Sequence, residues 1–215
     1  MLTLDTTLTF FAASVMLALV PGPDNVFVLL HSAAHGWRSG LLVVLGLCTG
    51  LLFHTAAVAL GLAALMASSS TAFTALTLLG AMYLLWLAWQ SWNAPVHSSD
   101  TPASIENSES DSPLSTRQTY ARGVLMNITN PKVAIFFLAF LPQFVFPQQG
   151  VVGLQILLLG GVFMVATFFT FGAIAFFAGS FGKALQSSAL AQRSLNRIAS
   201  LVFCGLALRL LMTTL

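Results

Sequence analysis

Long apolar runs separated by short polar clusters set the pattern of this chain. Leu4 to Leu30 is the first run, Leu41 to Met66 the second and Ala72 to Trp92 the third. A polar stretch follows, and then Tyr120 to Phe144, Val151 to Phe177 and Leu195 to Met212. By length and apolarity each reads as a membrane helix, and none shows the ten-residue alternation of a barrel strand. The expected fold class is an all-α integral membrane protein, a six-helix bundle. Turns are expected at Ser32 to Gly40 and at Ser68-Ser69-Ser70, with a basic loop marked by Lys183, Arg193 and Arg197. Tyr83, Trp86, Trp89 and Trp92 close the third run, either as an interfacial aromatic belt or as helix-packing residues.

The first run is not uniform. Leu19-Val20-Pro21-Gly22-Pro23-Asp24-Asn25 interrupts it, and each proline removes a backbone donor and clashes with the preceding turn. At 1.5 Å per residue the run would be about 40 Å long, so it must tilt or kink. A carboxylate at a helix break inside hydrocarbon is costly unless it lines a polar cavity. The fourth run is broken in the same way, at Asn127-Ile128-Thr129-Asn130-Pro131-Lys132.

Three runs, a linker and three more runs suggest two related halves. A shift of 110 residues lays Pro131 on Pro21, Gly150 on Gly40 and Gly160 on Gly50. An odd number of helices per half inverts the second half relative to the first. Interrupted helices at matching places in inverted halves point to a transporter's midplane site. The expected boundaries are 1–92 for the first half, 93–117 for a solvated cytoplasmic linker rich in Ser, Thr and Pro, and 118–215 for the second half.

Composition agrees with membrane residence. Only 7% of residues are charged and 57% are hydrophobic, against about 25% charged in a soluble domain. The net charge of +2 gives no reason to expect nucleic acid. Cys48 and Cys204 lie in apolar runs as small packing residues, and residues 1–20 lack the basic start and the cleavage site of a signal peptide. The chain contains no phosphate-binding G-x-x-x-x-G-K-[ST] loop, no nucleophile triad and no metal-ligand spacing. The sequence therefore predicts no enzyme, no cofactor and no metal, and transport would draw on a gradient. Arg38, Arg117, Arg122, Lys183, Arg193 and Arg197 fall after runs one, three and five, which predicts cytoplasmic turns there and both termini outside.

Asp24 and Lys132 are the charged residues placed deep in the membrane, one from each half. Either they pair when the site is empty, or Asp24 takes the ammonium and Lys132, with exposed helix-end amides, the carboxylate of a zwitterion. The competing reading is a structural ion pair, or snorkelling of the Lys132 stem to the interface. Asn25, Asn127 and Asn130 stand beside the breaks either to satisfy freed backbone groups or to contact substrate. Gly46, Gly50 and His54 share one helix face, where small residues admit a close neighbour. His54 is then either a proton-relay group or a hydrogen-bonded packing histidine. His31 and His35 read as interfacial.

Pro21-Gly22-Pro23-Asp24-Asn25, followed by Gly36-Trp37-Arg38-Ser39-Gly40-Leu41, resembles the lysine exporter/homoserine-threonine resistance (LysE/RhtB) family. Gly46 to His54, Gly61 to Leu65, Gly123 to Asn127, Asn130-Pro131-Lys132, Phe136 to Phe144 and Leu195 to Arg209 match it as well. The resemblance implies a multi-pass bacterial inner-membrane exporter of small amino acids or derivatives, exchanging them against protons. It names Pro21, Gly22, Pro23, Asp24, Asn25, Asn127, Asn130, Pro131 and Lys132 as functional residues. Many relatives carry an acidic residue in the fifth run, where this chain has Val165-Ala166-Thr167-Phe168. That departure argues against a strongly cationic cargo. The expected partners are an amino acid, protons, lipid and a possible second copy. The rival readings are a non-transporting membrane sensor or assembly factor, or an exporter of inorganic cations.

Overall fold

Proline, glycine and the polar stretch divide the chain into helices much where the pattern predicts. The computed structural model describes residues 2–68, 70–94, 115–187 and 189–214. Among these, all regular structure is helical: α1 Leu4–Leu19, α2 Pro23–His35, α3 Trp37–Ser68, α4 Ser70–Trp92, α5 Thr116–Ile128, α6 Pro131–Ile135, α7 Val152–Ser187 and α8 Ala189–Thr214. From the end of α6 the chain continues through a π-helical turn, Phe136–Phe140, and a 3-10 turn, Leu141–Phe144. A multi-pass membrane protein follows from these lengths. Trp37–Gly61, Val152–Ala178 and Gln192–Met212 are each long and apolar enough to cross alone. The two broken pairs, bent by 65° between α1 and α2 and by 48° at Pro131, bring the candidate spans to five. The six-helix arrangement therefore goes beyond what length and apolarity alone establish.

Two expected turns are corrected. Ser32 to Gly40 is helical on both sides of one hinge, Gly36, whose φ of 86° suits glycine alone. Among the described residues the expected basic loop is helix, because Lys183 lies in α7 and Arg193 and Arg197 lie in α8. Between Lys183 and Arg193 there is neither proline nor glycine, and Ala, Leu and Gln favour helix. Ser69, in the expected serine turn, and residues 95–114 of the expected linker lie outside the described residues. That linker ends in a helix start: Ser115 and Gln118 form a reciprocal capping box on α5.

Small residues set how the helices meet. The Gly46–Gly50–His54 face of α3 receives α5, as its spacing predicts. A Cβ on Gly46 would strike the Tyr120 carbonyl, and Gly123 lies equally close to the Val43 carbonyl. Residue 46 meets 123 and residue 50 meets 127, so α3 and α5 run parallel. In contrast, Leu41 meets Gly172, Cys48 meets Met164 and Thr55 meets Gly160, so α3 and α7 run antiparallel. The glycine-lined contact thus joins helices within one bundle. At the opposite end from Arg38 and Arg117, a ring cluster including Phe10, Phe136, Phe140 and Phe144 packs the turns after the second break. The Arg209 guanidinium lies 4.3 Å from the Phe144 ring centre.

Candidate functional site

Pro21 lacks the N–H that would have bonded the Leu17 carbonyl, and Pro23 lacks another. The end of α1 is therefore left with carbonyls that must find donors elsewhere. Asn25 supplies one, its Nδ2 donating to the Ala18 oxygen at 2.6 Å. Lys132 supplies two more. Its Nζ donates to Val20 O at 3.2 Å and Leu17 O at 3.5 Å, and it forms an ion pair with Asp24 Oδ1 at 3.4 Å. Both side chains are buried, 7% exposed for Lys132 and 4% for Asp24. The ammonium of the second half thus sits in a cage of two carbonyls and one carboxylate built by the first half. Asp24 occupies the first turn of α2, where its Oδ1 also accepts from the Asn25 N–H at 3.1 Å and the helix dipole favours an anion.

Gly22 leaves room for this pair. A Cβ there would lie 2.9 Å from Asp24 Oδ1 and 3.1 Å from Lys132 Nζ. Pro21 and Pro23 are exposed and shape the break through the backbone rather than by lining a cavity.

The second break is satisfied differently. Pro131 frees the Asn127 carbonyl, which accepts from the Asn130 N–H at 3.1 Å and from His54 Nε2 at 3.1 Å. Asn130 caps α6, its Oδ1 accepting from the Lys132 N–H at 3.0 Å. Through that bond the His54 imidazole braces the break on the other helix. Asn25 and Asn130 likewise satisfy backbone groups freed by the breaks. His31 is buried within the protein, stacked between Phe27 and His35 and bonded to Ser39 Oγ at 2.8 Å.

Asp24, Asn127 and Lys132 line one small cavity of ≈ 10 Å³, with Leu17, Ala18, Leu47, Val133, Phe163, Thr167 and Phe171. That is room for about one water molecule. Asn127 Oδ1 and Thr167 Oγ are buried without a hydrogen-bond partner. Gly50 admits Asn127, whose Oδ1 would lie 2.8 Å from a Cβ placed there. Thr167, Phe163 and Phe171 share one face of α7, and sequence reasoning missed all three. The sequence offers little to find them by: Thr167 stands at four-residue spacing from two phenylalanines, but Thr170 is a second hydroxyl in the same apolar run.

A family profile described as LysE type translocator matches residues 15–214. An uncharacterized membrane protein of Vibrio cholerae is 31% identical over 204 residues, 92% of each chain. The homoserine/homoserine lactone efflux protein of Salmonella typhimurium is 32% identical over 148 residues, covering 69% of this chain and 68% of its own. The leucine efflux protein of Klebsiella pneumoniae is 29% identical over 207 residues, covering 94% and 93%. No solved structure matches the chain.

Proposed function

Because the chain belongs to the LysE type translocator family, we propose that it is a secondary exporter of small neutral amino acids, with its site where the two broken helices meet. The names of the efflux relatives support an amino-acid cargo. The observation that carries the reading is the buried Asp24–Lys132 pair with the two carbonyls around its ammonium. Asp24 with Leu17 O and Val20 O is a ready seat for a primary ammonium, and Lys132 holds that seat while no cargo is present. An amino acid entering an opened site places its own ammonium on Asp24 and frees Lys132 to meet its carboxylate. Opposite charges that cancel in the site favour a zwitterion with a neutral side chain over a cationic one.

The export cycle alternates access around this point. The two halves are read as inverted copies of three helices, a reading supported by the antiparallel course of α3 and α7 and by the mutual bracing of the breaks. Protons entering from outside drive export, with Asp24 as the carboxylate that carries them. The residence is the bacterial inner membrane. An inorganic cation is a poorer cargo: among the described residues no group of three His, Cys, Asp or Glu side chains gathers, and a hard divalent ion takes six or more oxygen ligands.

The test is counterflow in proteoliposomes with a panel of labelled amino acids. Exchange of at least one neutral member is expected, and Asp24→Asn abolishes it in protein that still inserts. No exchange by folded native protein, or normal exchange by the variant, overturns the reading.

A further inference from the structure

At the end of the bundle away from the aromatic cluster, another cavity opens between α4 and α8. Its volume is ≈ 340 Å³, and Trp92, Ala94, Arg193, Asn196 and Arg197 line it. It shares no lining residue with the cavity of Asp24 and Lys132. Arg193, Asn196 and Arg197 recur at i, i+3 and i+4, so one face of α8 presents all three. Trp92 ends α4 and forms the facing wall, its ring centre 5.6 Å from the Arg197 guanidinium. Stacking of this kind steadies an arginine while its N–H edge stays open to an acceptor. Among the described residues the cavity wall thus carries two cations and no acid.

The level of this cavity follows from the helices. Because α7 runs antiparallel to α3, its last turns lie at the Arg38 end, and α8 begins close after them. The apolar window of α8 that can cross a membrane starts at Gln192, one residue before Arg193. The cavity therefore sits at the edge of the hydrocarbon, where lipid headgroups lie. Arg209, about 18 Å further along α8, marks the opposite end with Phe144. On the membrane side of the cavity, Trp89 of α4 and Ile198 and Leu201 of α8 are exposed and apolar. The acids among the described residues are elsewhere: Asp5 stands in the first turn of α1, beyond Phe10, and Asp24 is buried against Lys132.

We propose that this cavity binds the phosphate of an anionic phospholipid, whose acyl chains lie along the exposed apolar side of α4 and α8. Two guanidinium groups offer the planar donor forks that suit phosphate oxygens, and the Asn196 amide adds a neutral donor. Trp92 is the amphipathic ring expected at headgroup level. Basic pockets between membrane helices on the cytoplasmic side bind acidic lipid headgroups, and the distribution of Lys and Arg predicts this end to be cytoplasmic. Free phosphate shares the chemistry of the headgroup but makes no use of the apolar surface beside the cavity, which favours the lipid.

The experiment measures lipid binding to the detergent-purified full chain by native mass spectrometry. Phosphatidylglycerol and phosphatidylcholine are titrated separately, and inorganic phosphate is added in excess as a competitor. Native protein binds phosphatidylglycerol more tightly than phosphatidylcholine, and inorganic phosphate does not displace it. Arg193→Gln with Arg197→Gln weakens phosphatidylglycerol binding by about tenfold or more. Arg193→Gln alone, which leaves the Trp92–Arg197 contact in place, carries a measurable part of that loss. Both arginines are exposed, so thermal unfolding without lipid stays near native. Arg38→Gln with Arg117→Gln removes the same charge from the same end outside the cavity and keeps native binding. Equal affinity of native protein for the two lipids overturns the proposal. An equal loss in both double variants does so too and assigns binding to the diffuse charge of that face. Displacement by inorganic phosphate overturns the lipid assignment and makes the cavity a site for a soluble anion. Lower thermal stability with unchanged lipid binding in the Arg193 and Arg197 double variant overturns the site and assigns these arginines to helix packing.

Discussion

At the break between α1 and α2, Pro21-Gly22-Pro23 leaves a single backbone N–H across three residues, while the break before α6 keeps those of Thr129 and Asn130. The consequence is visible in the partners. The second break largely satisfies itself: Thr129 N–H reaches Leu125 O at 2.9 Å and Asn130 N–H reaches Asn127 O at 3.1 Å. The Thr129 hydroxyl adds a bond to Leu125 O at 2.8 Å. The first break does not, and Leu17 O and Val20 O take their donor from Lys132 in the other half. A break short of its own donors is one where an outside ammonium belongs. On the proposed reading, that difference makes the first break the seat and the second its supplier.

The comparison can be broken from either side. Lys132→Met is expected to have the largest effect, because it strands Asp24 as a buried, unpaired carboxylate and leaves two carbonyls without donors. Losing one partner of a buried pair costs about 3–5 kcal/mol, read as a large fall in the detergent unfolding midpoint together with loss of exchange. Gly22→Ala comes next. Its Cβ presses on both members of the pair, and overpacking of this kind costs about 1–3 kcal/mol. Exchange falls while the helices remain inserted, and retention of native exchange would show that the close fit at Gly22 is not needed. His54→Leu at the second break is the mildest of the three. The Asn127 carbonyl keeps its backbone donor, so the loss is about 1 kcal/mol. A fall in stability as large as that of Lys132→Met would erase the distinction between the breaks.

Both breaks were legible in the sequence because proline acts locally: it removes a donor wherever it stands. The α3 face was legible for a related reason, since Gly46, Gly50 and His54 recur at helical spacing and small size alone admits α5. The meeting of Asp24 with Lys132 was legible only as one of several readings. Opposite charges in opposite halves make a pair reasonable, but the distance depends on how α6 is carried past α1. The Leu17 and Val20 carbonyls were not legible as ligands, because every residue has a carbonyl and only the bend exposes these. Thr167 was hidden for a different reason. A threonine in an apolar helix normally bonds its own backbone, and nothing in the letters announces one that does not. The pattern predicts a nine-residue turn around Gly36, yet one positive φ suffices to redirect the chain.

The central claim, that the buried pair is the seat for cargo rather than a brace for the fold, is tested most directly by neutralising both members together. The double variant Asp24→Asn with Lys132→Met removes both charges and strands neither, so its unfolding midpoint should recover above that of Lys132→Met alone. If the pair is the seat, this well-folded protein exchanges no amino acid in counterflow. Exchange at the native rate by the double variant would contradict the claim and leave the pair a structural contact.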